Sequence, residues 1–412
     1  MSEVFTFGCR LNFYESEIIK KNLKVANLKD VTVVHSCAVT NEAERQVKHK
    51  IRELYKNNSD IKIIVAGCAA QLNPEVYANM PGVIKVLGNV DKLQYESYIN
   101  DNIVSVSNVD NVGWSKFHEL TKFADKARAF IEIQNGCNHQ CTFCVITKAR
   151  GNNRSMLVHD IVNQVKVFVE HGYNEIVFTG VDITDFGLDI FGKPSLGMMV
   201  KRVLKSVPEL QRLRLSSIDI AEIDEDLFDV IESEPRFMPH LHMSLQSGND
   251  IILKRMKRRH SRNQALEFCD KVRSLRKDVV FGADIIVGFP TETDSMFCDT
   301  IDLIERANIS YLHVFPYSKN EGTVAARMPQ VAMHVKKERA KHLRDLGKKR
   351  LNILYNTLLN TTQSVVVEKA GLGRAENFAL VKFYNRDVSL RSVIDVQISG
   401  IEGNYLISNL AI

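Results

Sequence analysis

No stretch of this sequence approaches the roughly 20 consecutive apolar residues that a membrane-spanning helix needs. Its start, Met1-Ser2-Glu3-Val4, lacks the basic residues and apolar run of a secretory signal. Strong charge of either sign is missing too. The 54 Lys and Arg against 49 Asp and Glu leave +5, which permits a nucleic-acid partner without demanding one. There are no low-complexity tracts and no solenoid repeats. With 45% hydrophobic and 25% charged residues, disordered and fibrous classes are excluded. A chain of 412 residues predicts two or three domains. The expectation is a cytoplasmic globular protein with no membrane partner.

A reducing compartment and a long chain both argue against disulfides, so the eight cysteines need another explanation. Six fall into two sets of three: Cys9, Cys37 and Cys68, then Cys137, Cys141 and Cys144. Cys269 and Cys298 lie in helix-compatible stretches and read as packing residues.

The first set ends successive β-branched runs. Val4–Phe7 leads into Gly8-Cys9, Val31–Val34 into His35-Ser36-Cys37, and Ile63–Ala66 into Gly67-Cys68. Helix-compatible segments, Tyr14–Val25 and Asn41–Lys56, separate them, and Val83–Leu87 extends the pattern. Alternation of this kind predicts an α/β parallel sheet with right-handed crossovers, whose strand C-termini share one rim. Three cysteines distant in sequence would meet there. A single cysteine would read as a small buried hydrophobe; three at equivalent points do not.

Residues 100 to 127 read as a linker. Six further strands are expected: Phe130–Gln134, Glu175–Thr179, Arg212–Ser216, His240–Leu245, Val279–Val287 and Tyr311–Phe315. Six βα units make a partial (β/α)6 barrel, with its site at the strand C-termini. A long charged helix, Val335–Leu358, follows. The last fifty residues carry four short β runs, Ser364–Glu368, Ala379–Tyr384, Val393–Ile398 and Tyr405–Ser408, punctuated by glycines, which predicts a small β-barrel. The boundaries expected are 1–110, 125–357 and 360–412.

Directly after the first barrel strand comes Gly136-Cys137-Asn138-His139-Gln140-Cys141-Thr142-Phe143-Cys144. Three thiolates at C-x3-C-x2-C spacing can hold one face of an iron–sulfur cube and leave the fourth iron free for a ligand. A zinc site is the alternative, but it wants four ligands, and His139 sits inside the tight loop.

This motif resembles that of the radical S-adenosylmethionine (SAM) superfamily. With the first cysteine set ahead of it, the whole chain resembles the methylthiotransferases. The carrying stretches are Gly8–Glu17, Ser36–Arg45, Asn135–Cys144 continuing to Ala149-Arg150-Gly151, and Pro316–Thr323. Within the family the likeness is to the group acting on threonylcarbamoyladenosine in tRNA. The resemblance implies an N-terminal cluster domain, a radical barrel and a C-terminal TRAM domain. It implies two 4Fe–4S clusters, one on Cys137, Cys141 and Cys144 and a second on Cys9, Cys37 and Cys68, and two molecules of SAM per turnover. The first cluster would chelate SAM and generate a 5′-deoxyadenosyl radical that attacks carbon 2 of an adenine, and the second would present sulfur for transfer. Family likeness also places a SAM pocket at the ends of the barrel strands, with Gly180, Asp182, Ser217, Gln246, Asp284 and Gly288 as its expected residues. The implied partners are tRNA, through adenosine 37 of the anticodon loop, and an electron-donor protein; DNA is not one. Two siblings modify isopentenyladenosine 37 and a ribosomal-protein aspartate. A radical SAM oxidoreductase with one cluster is the rival from another class.

Two basic runs suit phosphate contacts. Lys254–Arg262 has six Lys or Arg and no acid; Lys336–Arg350 has eight basic and two acidic residues. From residue 360 onward five basic residues balance five acidic ones, so charge does not mark the C-terminal β-domain as RNA-binding.

Overall fold

In the computed structural model, residues 2–110, 112–113, 118–123, 126–384 and 387–411 are described. The chain opens with five parallel strands in sequential order: β1 (Glu3–Thr6), β2 (Val31–Ser36), β3 (Lys62–Gly67), β4 (Val83–Leu87) and β5 (Val104–Ser105). Val33, Val34, Ile63, Ile64, Val65 and Ala66 are all buried, as a parallel sheet covered on both faces requires. Its register aligns the strand ends, Thr6 beside His35 and Ser36 beside Gly67. Every chain segment that follows therefore leaves from one rim. The fifth strand lies in the stretch expected to be a linker. Two residues are too few for a periodic signal, and pairing with Val86 and Leu87 is what makes them a strand.

Six parallel strands then build an open barrel: β6 (Arg128–Glu132), β9 (Glu175–Thr179), β10 (Arg212–Leu215), β11 (His240–Gln246), β12 (Val280–Val287) and β13 (Ile309–Pro316). Sheets β10-β9-β6 and β11-β12-β13 are joined by bridges Leu213–Phe237 and Ile218–Met243. Between β6 and β9, a two-residue ribbon of β7 (Gln134–Asn135) and β8 (Arg154–Ser155) brackets the cysteine loop. Cys269 lies buried in the apolar core of this barrel, as expected of a packing residue, whereas Cys298 is exposed.

The helix Met333–Thr357 runs along β13 to a closed five-stranded barrel, β14 (Thr362–Lys369), β15 (Leu372–Ala375), β16 (Leu380–Phe383), β17 (Val393–Glu402) and β18 (Tyr405–Ala411), in the order β14-β15-β16-β18-β17. Four strands were legible here. The missing one is β15, where Gly371 and Gly373 read as punctuation, yet β14 and β16 pair with it on either side.

Phe378, in the β15–β16 turn, reaches into the radical barrel. Its ring stacks on His240 with centroids 4.4 Å apart and meets Tyr311 edge-on at 6.0 Å. Arg374, Arg214 and Arg128 lie over it at 4.1, 5.4 and 5.5 Å. Arg374 belongs to β15 itself, but the other partners come from β6, β10, β11 and β13, most near their N-terminal ends, so the small barrel plugs the end of the large one opposite the Cys137–Cys144 loop. Removing the ring by Phe378→Ala should cost about 2–4 kcal/mol of docking energy. Hydrogen exchange should then rise across Leu372–Phe383 and the first residues of β10 and β11. Unchanged protection there would show that the ring does not hold the domains together.

Candidate active site

The first three cysteines converge as the aligned rim requires. Cys9 caps the helix Arg10–Val25, Cys37 follows β2, and Cys68 opens the helix Cys68–Leu72. Gly8 lies so close that a β-carbon there would come within 2.8 Å of the Cys37 sulfur, at a backbone φ of +101° that favours glycine. Burial pushes the Cys37 thiol up to about 12, and the neighbouring Cys68 and Cys9 add to the shift. The Cys9 thiol is likewise raised, chiefly by burial, although the residue keeps exposed surface. Such thiols stay protonated unless a metal draws the proton off.

The second set sits on the loop leaving β7. Burial pushes Cys144 up to about 11 and raises Cys137, with Cys141 adding to the first shift and Cys144 and Cys141 to the second. Thr142 ties the loop to the barrel: its amide donates to the Met256 carbonyl at 3.1 Å, its hydroxyl donates to the Arg255 carbonyl at 2.7 Å, and its carbonyl accepts from the Ala325 amide at 2.9 Å.

Spacing separates a cluster from a single ion. Ligands of one tetrahedral zinc, each about 2.3 Å from the metal, lie within roughly 4 Å of one another. Among the described residues, neither cysteine set brings its three sulfurs within 4.8 Å of one another. Nor does His139 complete a zinc site: the group gathered around it holds Cys137 and Asp182 but not Cys141 or Cys144. Its Nε2 faces Asp185 at 3.0 Å and Asp182 at 3.2 Å, which hold the imidazole protonated with a pKa of about 9. The face of an iron–sulfur cube needs its three thiolates further apart than the ligands of a single ion.

A buried ionic seam joins the two halves. Arg150, six residues beyond Cys144, donates from Nη1 to Glu15 Oε1 at 2.8 Å and from Nη2 to Asn12 Oδ1 at 2.8 Å. Lys92 donates to Glu15 Oε2 at 2.6 Å and to Asn89 Oδ1 at 2.7 Å. Asn89 in turn donates to the Cys68 sulfur at 3.6 Å and to the Ala149 carbonyl at 2.6 Å. Burial opposes ionisation of Glu15, but Arg150 and Lys92 outweigh it and hold the carboxyl below the usual range. Beside the seam, Cys68, Ala69 and Ala70 share one apolar cluster with Val145 and Ala149. Sequence reading placed Glu15 and Arg150 inside family stretches without giving them a role. Two charges 135 positions apart carry no local signal of pairing.

The expected cofactor residues lie around the barrel mouth and lumen. Asp182 places Oδ2 3.7 Å from the Cys137 sulfur. Gly180 is required because a β-carbon would strike the Gln134 carbonyl at 2.6 Å, and the Gln134 side chain accepts from the amides of Val181 and Asp182 at 2.9 and 2.8 Å. Ser217 donates to Asp284 Oδ2 at 3.4 Å. Asp284 Oδ1 is paired with His242 at 3.0 Å and His313 at 3.1 Å, two lumen residues that sequence reasoning missed. Gln246 is half-buried at the end of β11 with φ +68°. The Gly288 amide is taken by the Glu292 carboxylate at 2.7 Å, so this turn shapes the end of β12.

Several cations of the two basic runs are paired with carboxylates, although many of them keep exposed surface. Arg258 pairs with Asp219 at 2.9 Å and lies 3.9 Å from the Cys141 sulfur. Arg259 pairs with Asp219 and Glu222, and Arg262 with Asp299 and Asp302. In the long helix Arg339 pairs with Glu292 and Asp294, while Lys341 and Lys348 share Asp345. Apart from Asp345, which lies within its own run, these acids come from other elements, so counting charge along the chain missed them.

With this geometry in place, the comparisons are informative. Residues 131–304 match the radical SAM superfamily, and residues 2–88 match the uncharacterized protein family UPF0004. The threonylcarbamoyladenosine tRNA methylthiotransferase MtaB of Rickettsia prowazekii is 51% identical, the alignment covering 98% of this chain and 96% of that one. The chain belongs to the MtaB-type methylthiotransferase family. The MtaB protein of Bacillus subtilis is 32% identical over 95% of this chain and 92% of its own length. At 30%, covering 97% and 96%, stands the tRNA-2-methylthio-N(6)-dimethylallyladenosine synthase of Roseobacter denitrificans. Among solved structures, the radical SAM methyltransferase TsrM of Kitasatospora setae shares the fold, with TM-score 0.51, 13% identity and coverage of 74% and 66%. Membership in the radical SAM superfamily implies a 4Fe–4S cluster and SAM.

Two outcomes follow from this geometry. Glu15→Gln leaves Arg150 and Lys92 buried without their counter-charge and should lower stability by about 3–5 kcal/mol, read from the urea midpoint. Because the Glu15 carboxyl is depressed, the wild-type contribution is present above the ordinary carboxylate range and lost only in strong acid. A midpoint within about 0.5 kcal/mol of wild type would show that the seam is not structural. Separately, Cys9→Ala/Cys37→Ala/Cys68→Ala protein and Cys137→Ala/Cys141→Ala/Cys144→Ala protein should each keep about half the wild-type iron after anaerobic reconstitution. Full iron in the first variant would leave only one cluster.

Proposed function

We propose that this chain is a cytoplasmic radical SAM methylthiotransferase that places a methylthio group on carbon 2 of N6-threonylcarbamoyladenosine at position 37 of tRNA. The observation that carries the reading is the 51% identity to an MtaB protein over nearly the full length of both chains. The two cysteine sets support it, because sulfur insertion needs a second metal centre beside the one that handles SAM. In this reading Cys137, Cys141 and Cys144 hold one 4Fe–4S cluster and Cys9, Cys37 and Cys68 the other. With the cofactors bound, the chemistry supplied is one-electron cleavage of SAM at the barrel set, sulfur donation at the first set, and a methyl group from a second SAM.

The chain's own residues prepare this chemistry by position and exclusion. Asp182, beside Cys137, is set to accept a hydrogen bond from the amino group of SAM. Protonated His139 keeps the acidic patch of Asp182 and Asp185 from repelling itself. Asp284 and Ser217 line the lumen, and Gly180, Gln246 and Gly288 shape the strand ends around it. The adenine is held between the two cysteine sets, whose helices share one apolar cluster. An electron-donor protein completes the cycle.

Nucleoside mass spectrometry of tRNA from cells with and without the gene tests this reading. The methylthio form of threonylcarbamoyladenosine should vanish and its precursor accumulate. Loss of the methylthio-isopentenyl form instead would keep the chemistry and overturn the substrate; no change in either would overturn both.

A further inference from the structure

Arg10 directly follows a cysteine of the first set, yet its side chain serves the other domain. It opens the helix that Cys9 caps, and its guanidinium lies 5.8 Å above the Phe378 ring inside the radical barrel. Arg214 and Arg374 lie near enough to repel it, and Asp284 and Glu175 near enough to attract it. The other guanidiniums around Phe378 are anchored. Arg128 pairs with Glu368 at 2.9 Å, and Arg374 pairs with the same carboxylate at 2.9 Å. Arg214 pairs with Glu175 at 2.7 Å and donates to the carbonyls of Glu376 and Ala375 at 2.7 and 2.8 Å. Arg10 alone lacks such an anchor: among the described residues, no carboxylate lies within 4.0 Å of its guanidinium and no carbonyl accepts from it. Asp284, the acid in its part of the lumen, is already claimed by His242, His313 and Ser217.

An unanchored cation beside anchored ones calls for an anion from outside the chain. The substrate proposed above carries one. Carbon 2 and N6 flank N1 on one edge of adenine, so a base presenting carbon 2 to the cysteines directs its N6 substituent along the same edge. The threonylcarbamoyl group ends in a carboxylate, whereas the dimethylallyl group is wholly apolar and would leave the guanidinium unpaired. We infer that Arg10 recognises the carboxylate of the threonylcarbamoyl group and so selects this nucleoside over N6-alkylated ones. The inference rests on the proposed substrate and names the residue that reads it.

The test uses anaerobically reconstituted full-length enzyme and two anticodon stem-loops. One carries threonylcarbamoyladenosine; in the other the threonine carboxylate is converted to the primary amide. A charge-assisted hydrogen bond predicts that wild type prefers the carboxylate form by about 10- to 100-fold in Kd and in kcat/KM. Arg10→Gln should abolish the preference by weakening the carboxylate form alone, Arg10→Lys should keep part of it, and both should retain wild-type iron. Equal weakening of the two stem-loops by Arg10→Gln would mean that Arg10 meets a backbone phosphate, and the inference falls. Absence of a preference in wild type overturns it as well. Should Arg10→Gln lose its iron, Arg10→Lys decides: a preference unchanged from wild type on both readouts, or lost equally from both stem-loops, overturns the inference. Failure of wild type to modify either stem-loop is a different result, since it removes the substrate reading itself.

Discussion

Glu15 sits where three separate requirements meet. Its two carboxylate oxygens accept from Arg150, which ends the cysteine loop of the barrel, and from Lys92, which follows the fourth strand of the first sheet. Asn12 and Asn89, hydrogen-bonded to the same cations, carry the network to within 4 Å of the Cys9 and Cys68 sulfurs. Buried ion pairs seldom add net stability over well-packed apolar groups, but they penalise any misplacement severely, because a displaced charge is left without solvent. Two cysteine sets on different domains need that kind of constraint. Apolar contacts between Ala70 and Ala149 could slide by an ångström at small cost; a bidentate guanidinium between two domains cannot.

The opposite end of the barrel is closed by different means and with a different consequence. Phe378 supplies an aromatic face on which cations can sit, and the acids Glu175 and Glu368 anchor most of those that gather there. The plug therefore does two things at once: it fixes the small barrel to the large one, and it gives the lumen a cationic floor. Asp284 offsets part of that charge, being held below the usual carboxylate range where the hydrogen bonds and charges of His242 and His313 overcome the effect of its burial. The lumen thus runs from a mouth where Asp182 and Asp185 meet His139 and Arg259 to a floor where cations gather around Phe378.

What the sequence disclosed follows from the range of each interaction. Strands with β-branched runs, the alternation of strand and helix, and a cysteine motif within eight residues are local, and all could be read. Convergence of Cys9, Cys37 and Cys68 was legible because topology turns equivalent points of successive units into neighbours. Pairing across domains was not. Arg258 reads as one of six uncompensated cations, and only the fold brings Asp219 to it from 39 residues away. The strand at Leu372–Ala375 was hidden for a related reason: its backbone pairing is supplied by neighbours on both sides, so its own residues need little β-propensity.

This asymmetry bears on how the family divides its substrates. A 30% identical relative named for dimethylallyladenosine aligns over nearly the whole chain. Whatever separates the substrates must therefore be sought in few positions rather than in architecture. It must also act at the N6 edge of the base, since carbon 2 is the reacting atom in either case. A hydrophobic pocket discriminates poorly between apolar groups, whereas a site built around an unpaired charge rejects any ligand that cannot neutralise it. A cation one residue from a sulfur-bearing cysteine, unanchored while its neighbours are anchored, meets both demands with a single side chain.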